Sequence, residues 1–332
     1  MDSFTQIVLG VAVAHLGLGN RVSIKKTVVL GAVMGTLPDL DVFAAKLFSD
    51  PLTEVEFHRG FSHSLLFSAL VTLLSVLLLK KKFIPINISQ LSVTVFAILV
   101  THSLLDIFTT WGTQILWPYP QKFALKSVFV VDVAYTLPLL AGVMLGLKKQ
   151  KRIFTWAAVV ISTVYLGWGL LAQHIIKERV LKEFCAFKPD VQLFNITVKP
   201  TFSNSILWNV ILQTSDGFYL SDRSLWDKGA MEFQYFPQNA HLIENIKNRN
   251  INRLKKICEG QFVITRNSNG LVFNDLRFGL LRKNADDVQF AFSYQLKQEK
   301  EGIVVEVLPK ERRDGLKLLQ YVASRIMDYR TP

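Results

Sequence analysis

Cysteine is almost absent: among 332 residues only Cys185 and Cys258 carry a thiol. Two thiols do not make a disulfide framework, and they pair only if their half of the chain faces an oxidising compartment. Acidic residues are also scarce, 26 against 38 Lys and Arg, which leaves a formal charge of +12. A surplus of that size invites a nucleic-acid reading. The chain has no zinc-finger spacing and no RNA-binding signature, however, and its cations are placed differently. In the first half they form short clusters between apolar runs: Lys25-Lys26, Lys80-Lys81-Lys82, and Lys148 to Arg152. In the second half they mix with Asp and Glu. The sequence argues against a nucleic-acid partner and for membrane topology with a basic surface. Internal repeats and low-complexity segments are missing. No cleavable leader is expected either, because Phe4 to Leu18 has no basic residues before it and no convincing cleavage site after it. That segment is expected to stay in the mature protein.

Apolar residues, by contrast, make up 50% of the chain, and the mean hydropathy is +0.28. They crowd into residues 1–175, while 176–332 has the composition of an ordinary soluble domain. Five stretches have the length and composition of spanning or deeply embedded helices: Thr27 to Ala45, Ser62 to Leu79, Leu91 to Phe108, Val128 to Leu147 and Ile153 to Ala172. Phe4 to Leu18 is a sixth, short for a crossing. The basic clusters orient them, since Lys and Arg favour the cytoplasmic side. With the clusters inside, Pro38-Asp39-Leu40-Asp41, the start of the Ser62 helix, the end of the Leu91 helix and everything after Ala172 fall at the outer face. His58, Arg59, His63, His102 and Asp106 then share one side with Asp39 and Asp41, and Asp2 joins them if the first segment crosses. His15 alone lies toward the inner end, as a structural residue or a sign of re-entrance.

After about Lys177 the pattern becomes short, β-branched or aromatic and turn-bounded. Strands are expected at Val191 to Val198, Ile206 to Leu212, Gly217 to Ser221, Phe262 to Thr265, Leu271 to Phe273 and Val288 to Tyr294. Asp216-Gly217 and Asn269-Gly270 supply hairpin turns, and helices are expected at His241 to Cys258 and Arg312 to Tyr329. The fold class is therefore an α-helical polytopic membrane domain of five to six spanning or embedded helices (1–175), followed by a soluble, extracytoplasmic α+β domain (176–332).

Three motifs carry chemistry. His102 and Asp106 lie four apart, on one face of a helix, and ionisable residues in an apolar segment are functional candidates. His58-Arg59-Gly60-Phe61-Ser62-His63-Ser64 places two histidines across a helix start, with Ser62 as the expected N-cap and Arg59 as a fixed cation for a phosphate or carboxylate oxygen. Asp39 and Asp41 follow Pro38, which should break the helix. Imidazole and carboxylate together suit Zn²⁺, Mn²⁺ or Fe²⁺, as one or two ions. Such an ion lowers the pKa of a bound water. Asp132 is a candidate partner for a ligand histidine or an interfacial residue, and Trp111, Trp117 and Tyr119 form an aromatic belt or a substrate entrance.

These motifs, with Asp2, Thr101-His102-x-Leu104-Leu105-Asp106, Thr109-Thr110-Trp111-Gly112-Thr113 and Leu116-Trp117-Pro118, resemble the YdjM-like family of inner membrane metal-dependent hydrolases. The resemblance covers about residues 1 to 175; Lys199-Pro200-Thr201 and Asn204-x-Ile206-Leu207-Trp208 resemble longer members. The family is also described as LexA-binding, a partner that sits poorly with an outward-facing site and is not carried over. Its distant relation to zinc-dependent phospholipase C and P1-type nucleases implies Asp39, His58, His63, His102 and Asp106 as ligands, zinc first among the metals, and Arg59 as the phosphate-binding residue. Arg59 and Asp41 are the candidate catalytic residues, with Asp2 and Asp132 as further metal or supporting positions. The implied activity is a phosphoesterase of the bacterial cytoplasmic membrane acting on a lipid or membrane-proximal phosphate ester. Two rivals stay open: a transporter with His and Asp lining an ion path, and a non-catalytic scaffold with a structural metal.

Overall fold

The computed structural model describes residues 1–46, 50–280, 289–299, 302–309 and 315–327. It divides into two compact units, Met1–Phe48 with Glu56–Leu170, and Ser49–Val55 with Leu171–Pro332.

The first unit is helical: α1 (Ser3–Leu18), α2 (Ile24–Thr36), the short α3 (Asp41–Ala45), and, beyond the crossing helix α4 (Pro51–Phe57), α5 (Leu65–Leu79), α6 (Ile88–Ile107), α7 (Val133–Lys149) and the first part of α8 (Arg152–Phe187). Polar contacts fix their directions. Gln6 near the start of α1 donates to the His102 carbonyl near the end of α6, while Gln90 at the start of α6 donates to the Gly17 carbonyl at the end of α1. Thr5 and Thr136 join the starts of α1 and α7, with their hydroxyls 2.7 Å apart. One end of the unit therefore collects Asp2, the end of α2 and His102; the other collects the basic clusters. Backbones touch where α1 crosses α2. A Cβ on Gly10 would lie 2.2 Å from the Gly31 carbonyl oxygen, and one on Gly31 2.5 Å from Val11 Cα. Small residues at such a crossing are what close helix packing in lipid requires.

α5 shows the inversion expected of a lipid-facing helix. It buries Ser68, Thr72 and Ser75, and turns Leu70, Leu73, Leu74, Leu77 and Leu78 outward. By length and composition, Ser3–Arg21, Ile24–Ala44, Ile88–Ile107 and Arg152–Phe187 are able to cross a membrane, and the bent pair Pro51–His63 and Leu65–Phe83 makes a fifth if it is one span. The first segment, short when read from the sequence, gains length from the turn that continues α1. α7, in the stretch expected to span from Val128 to Leu147, is only 17 residues long.

The second unit holds two four-stranded antiparallel meanders. The first is β1 (Asn195–Pro200), β2 (Leu207–Gln213), β3 (Gly217–Ser224) and β4 (Gln234–Pro237); the second is β5 (Phe262–Asn267), β6 (Gly270–Leu280), β7 (Phe290–Glu299) and β8 (Gly302–Val307). β4 and β8 were not among the expected strands. The single helix expected from His241 to Cys258 is broken into α9 (His241–Glu244) and α10 (Arg249–Ile257), because the Asn248 side chain accepts from the Asn250 N–H and starts a new helix. α11 (Gly315–Met327) closes the described chain; Val288, Arg312 and Tyr329, expected ends of elements, lie outside the described residues. One core packs Leu52, Leu254, Phe273 and Tyr294 together.

Candidate metal centre

Four side chains from three segments of the first unit converge. Asp39 comes from the 3₁₀ turn Leu37–Leu40, which Pro38 opens after α2 ends. His63 comes from the turn Phe61–His63, and His102 and Asp106 from successive turns of α6. The N-cap of α5 is Ser64 rather than the expected Ser62: the Ser64 hydroxyl accepts from the Phe67 N–H at 3.0 Å. That shift leaves Ser62 free to act elsewhere.

Both histidines present Nε2. His102 Nδ1 is 2.7 Å from the Gly35 carbonyl oxygen, which only accepts, so Nδ1 carries the proton. The Ser62 hydroxyl donates to Asp41 Oδ2 at 2.8 Å and therefore accepts from His63 Nδ1 at 2.9 Å. In their neutral forms, both Nε2 atoms then carry bare lone pairs, and these face each other across 3.2 Å. Asp39 Oδ1 is 3.4 Å from His63 Nε2 and 3.5 Å from His102 Nε2; Asp106 Oδ2 is 3.2 Å and 3.7 Å from the same atoms. The four acceptors lie within 4.8 Å of one another.

Lone pairs gathered this closely repel unless something positive lies among them. A proton on His63 would offer one donor to several acceptors, at separations beyond the ~2.7–2.9 Å of a charge-assisted hydrogen bond. A tetrahedral ion with bonds of ~2.0–2.1 Å would separate its ligand atoms by roughly 3.3 Å, close to the observed spacing. Asp106 Oδ2 is also a buried oxygen without a hydrogen-bond partner. Arg59 Nε lies 3.1 Å from it, an ion pair whose N–H is not directed at the oxygen. Donor chemistry, spacing and orphaned oxygen all fit a divalent cation.

The surrounding residues hold this arrangement. Asp41 is a hub: it faces His58 Nδ1 at 2.9 Å and accepts the Arg59 backbone N–H at 2.9 Å besides the Ser62 hydroxyl. His58, an expected ligand, is thus directed at Asp41 and stands outside the four, with its ring edge-on to Trp111. Arg59 is buried in the left-handed region (φ 60°), and its Nη1 donates to Thr109 Oγ1 at 2.7 Å. Asp2 caps α1 through the Thr5 N–H and hydroxyl, and Asp132 caps α7 and accepts the Tyr165 hydroxyl. Neither belongs to the four. His15 also lies outside the four, with Nδ1 2.8 Å from Thr155 Oγ1. The sequence reading missed Gln6, whose amide donates to the His102 carbonyl and to Asp106 Oδ1, an oxygen that the Met1 amino group also contacts. A glutamine inside an apolar run was the available signal.

A family model described as YdjM inner membrane protein matches residues 1–176. The chain belongs to the YdjM inner membrane protein family. The YdjM segment contains all four converging residues and their supports. Inner membrane protein YbcI of Escherichia coli (strain K12) is 36% identical over 131 residues, 37% of this chain and 75% of its own length. Uncharacterized protein YfhP of Bacillus subtilis (strain 168) is 22% identical over 227 residues, 66% of this chain and 67% of its own. That alignment is longer than the YdjM segment, so the likeness to YfhP runs into the second unit. No solved structure matches.

Proposed function

We propose that this YdjM-family chain is a metal-dependent hydrolase of phosphate esters, working at the membrane boundary on a lipid or membrane-proximal substrate. The observation that carries the metal is the pair of bare Nε2 atoms 3.2 Å apart between two carboxylates. Asp39, His63, His102 and Asp106 would hold it; when bound, the ion polarises a phosphoryl oxygen and acidifies water. His58 supports hydrolysis over mere binding. Its side chain is 23% exposed where His63 and His102 are 0–1%, and Asp41 fixes one ring nitrogen, leaving the other to carry a proton to or from a reacting oxygen. Arg59 pairs with Asp106 and keeps a permanent positive charge beside the reacting region. By the distribution of lysine and arginine, the site and the second unit face outward, which a reporter fused after residue 175 would test.

A second reading is favoured by one observation: four protein ligand atoms gather within 4.8 Å of one another, the number that structural zinc sites use. Metal analysis of the purified protein with phosphodiester turnover decides between them. Hydrolysis expects His58→Ala to retain the metal and lose turnover; a structural site expects no metal-dependent turnover in any variant. Full activity in a His63→Ala, His102→Ala double variant would sink both.

A further inference from the structure

The opposite end of the helical unit holds a second polar feature, which the hydrolase reading does not use. The chain there carries Arg21, Lys25, Lys26, Lys80, Lys81, Lys82, Lys148, Lys149, Lys151 and Arg152, and no Asp or Glu interrupts residues 16–26, 79–90 or 147–153. Membrane topology accounts for cations at that end. It does not account for a cavity among them. A recess of about 190 Å³ opens between the ends of α1 and α7 and the start of α2, lined by His15, Asn20, Arg21, Ser23, Thr27 and Gln150 among its polar residues, without a carboxylate.

The walls are built rather than incidental. Asn20 donates to the Gln150 carbonyl at 2.6 Å, and Arg152 to the Leu16 carbonyl at 3.1 Å. Gly19 takes the left-handed φ of 62° that the sharp exit from α1 needs. His15 forms the buried side, fixed through Nδ1 on Thr155 and let in by Gly146, where a Cβ would lie 3.2 Å from the imidazole. α2 begins at the rim, and its N-cap Ser23 makes no side-chain capping bond, which leaves first-turn N–H groups for something else. Guanidinium, amide, hydroxyl and helix start together form a donor-rich recess too small for a nucleotide and large enough for a phosphate group.

We infer that this recess binds a phosphate anion, supplied as the headgroup of an anionic phospholipid, at the end of the unit away from the metal centre. Arg21 is the charged contact, while Asn20 and the start of α2 supply neutral donors. The inference stands on the cavity and its lining and does not depend on the metal reading.

The test uses the full chain in phosphatidylcholine nanodiscs doped with phosphatidylglycerol, counting retained lipid by native mass spectrometry. A parallel titration follows inorganic phosphate by ³¹P NMR of the same protein in an uncharged detergent. Arg21→Gln is expected to weaken phosphatidylglycerol retention about tenfold, with Arg21→Lys recovering part of it. Lys81→Gln, a cation at the same end outside the recess, should change it little. Inorganic phosphate bound with the same Arg21 dependence, without lipid retention, would assign the recess to free phosphate and overturn the lipid source. Equal losses in Arg21→Gln and Lys81→Gln, or no Arg21-dependent binding in either arm, would overturn the site itself.

Discussion

Asp41 shows how a single carboxylate can matter without touching a metal. It holds Ser62, which holds the tautomer of His63, and it holds His58 directly. Supports of this kind tune ligand basicity and orientation. Ser62→Ala is therefore expected to lower metal affinity about 10–100-fold with the fold intact, measured by competition with a metal indicator. His58→Ala is expected to keep the metal while losing about 10²–10⁴-fold in phosphodiester turnover, the range for a lost acid–base group. Metal content and turnover measured on one preparation separate the two effects. The HRGxSHS and THxLLD spacing made the candidate ligands legible. It did not distinguish His58 from His63, because that difference lies in which nitrogen faces which neighbour.

At the scale of elements, the glycine crossing of α1 and α2 bears directly on the centre, since Gly35 supplies the carbonyl that orients His102. A Cβ on Gly31 would meet backbone at 2.5 Å, which no side-chain rotation relieves. Gly31→Ala should cost about 1–3 kcal/mol through overpacking and weaken metal binding with it, read as a lower melting temperature and a reduced metal content. In the second unit, α11 is pinned where Arg325 grips both oxygens of Asp227, at 2.9 and 2.6 Å. Burial, the largest single influence, would raise the Asp227 pKa; the Arg325 hydrogen bonds, the Ser224 N–H and the charges of Arg325 and Arg223 together outweigh it and hold the carboxyl below its ordinary value. A carboxyl lowered in the folded state stabilises fully above its unfolded pKa of about 3.9 and loses that contribution as pH falls toward the folded value. Asp227→Asn should lose part of its stability at neutral pH and show a weaker acid-side decline than the parent chain, by denaturant unfolding at pH 7 and below pH 4.

For the whole molecule, a metal held by Asp39, His63, His102 and Asp106 would link two distant stretches of sequence, the Pro38–His63 region and the end of α6. Chelation should lower the melting temperature of the full chain, and zinc should restore it, because binding free energy to the folded state adds to stability. An unchanged melting curve after verified metal removal would contradict that linkage. The family match and the apolar helices place the chain in the inner membrane, with crossing judged by composition.

What the sequence by itself determined was what depends on local pattern. Apolar runs with basic flanks gave the helices and a common end for the ionisable residues; alternation and turn residues gave most strands. β4 escaped because it is a four-residue edge strand, and the division of α9 from α10 because it turns on one asparagine cap. The tertiary structure decided which residues form the candidate metal centre. Choosing four residues from a larger set of acids and histidines depends on close distances between segments 24 to 67 residues apart. It also depends on protons placed by a carbonyl at Gly35 and a hydroxyl at Ser62. Sequence spacing carries no record of either, since both arise only when separate helices pack.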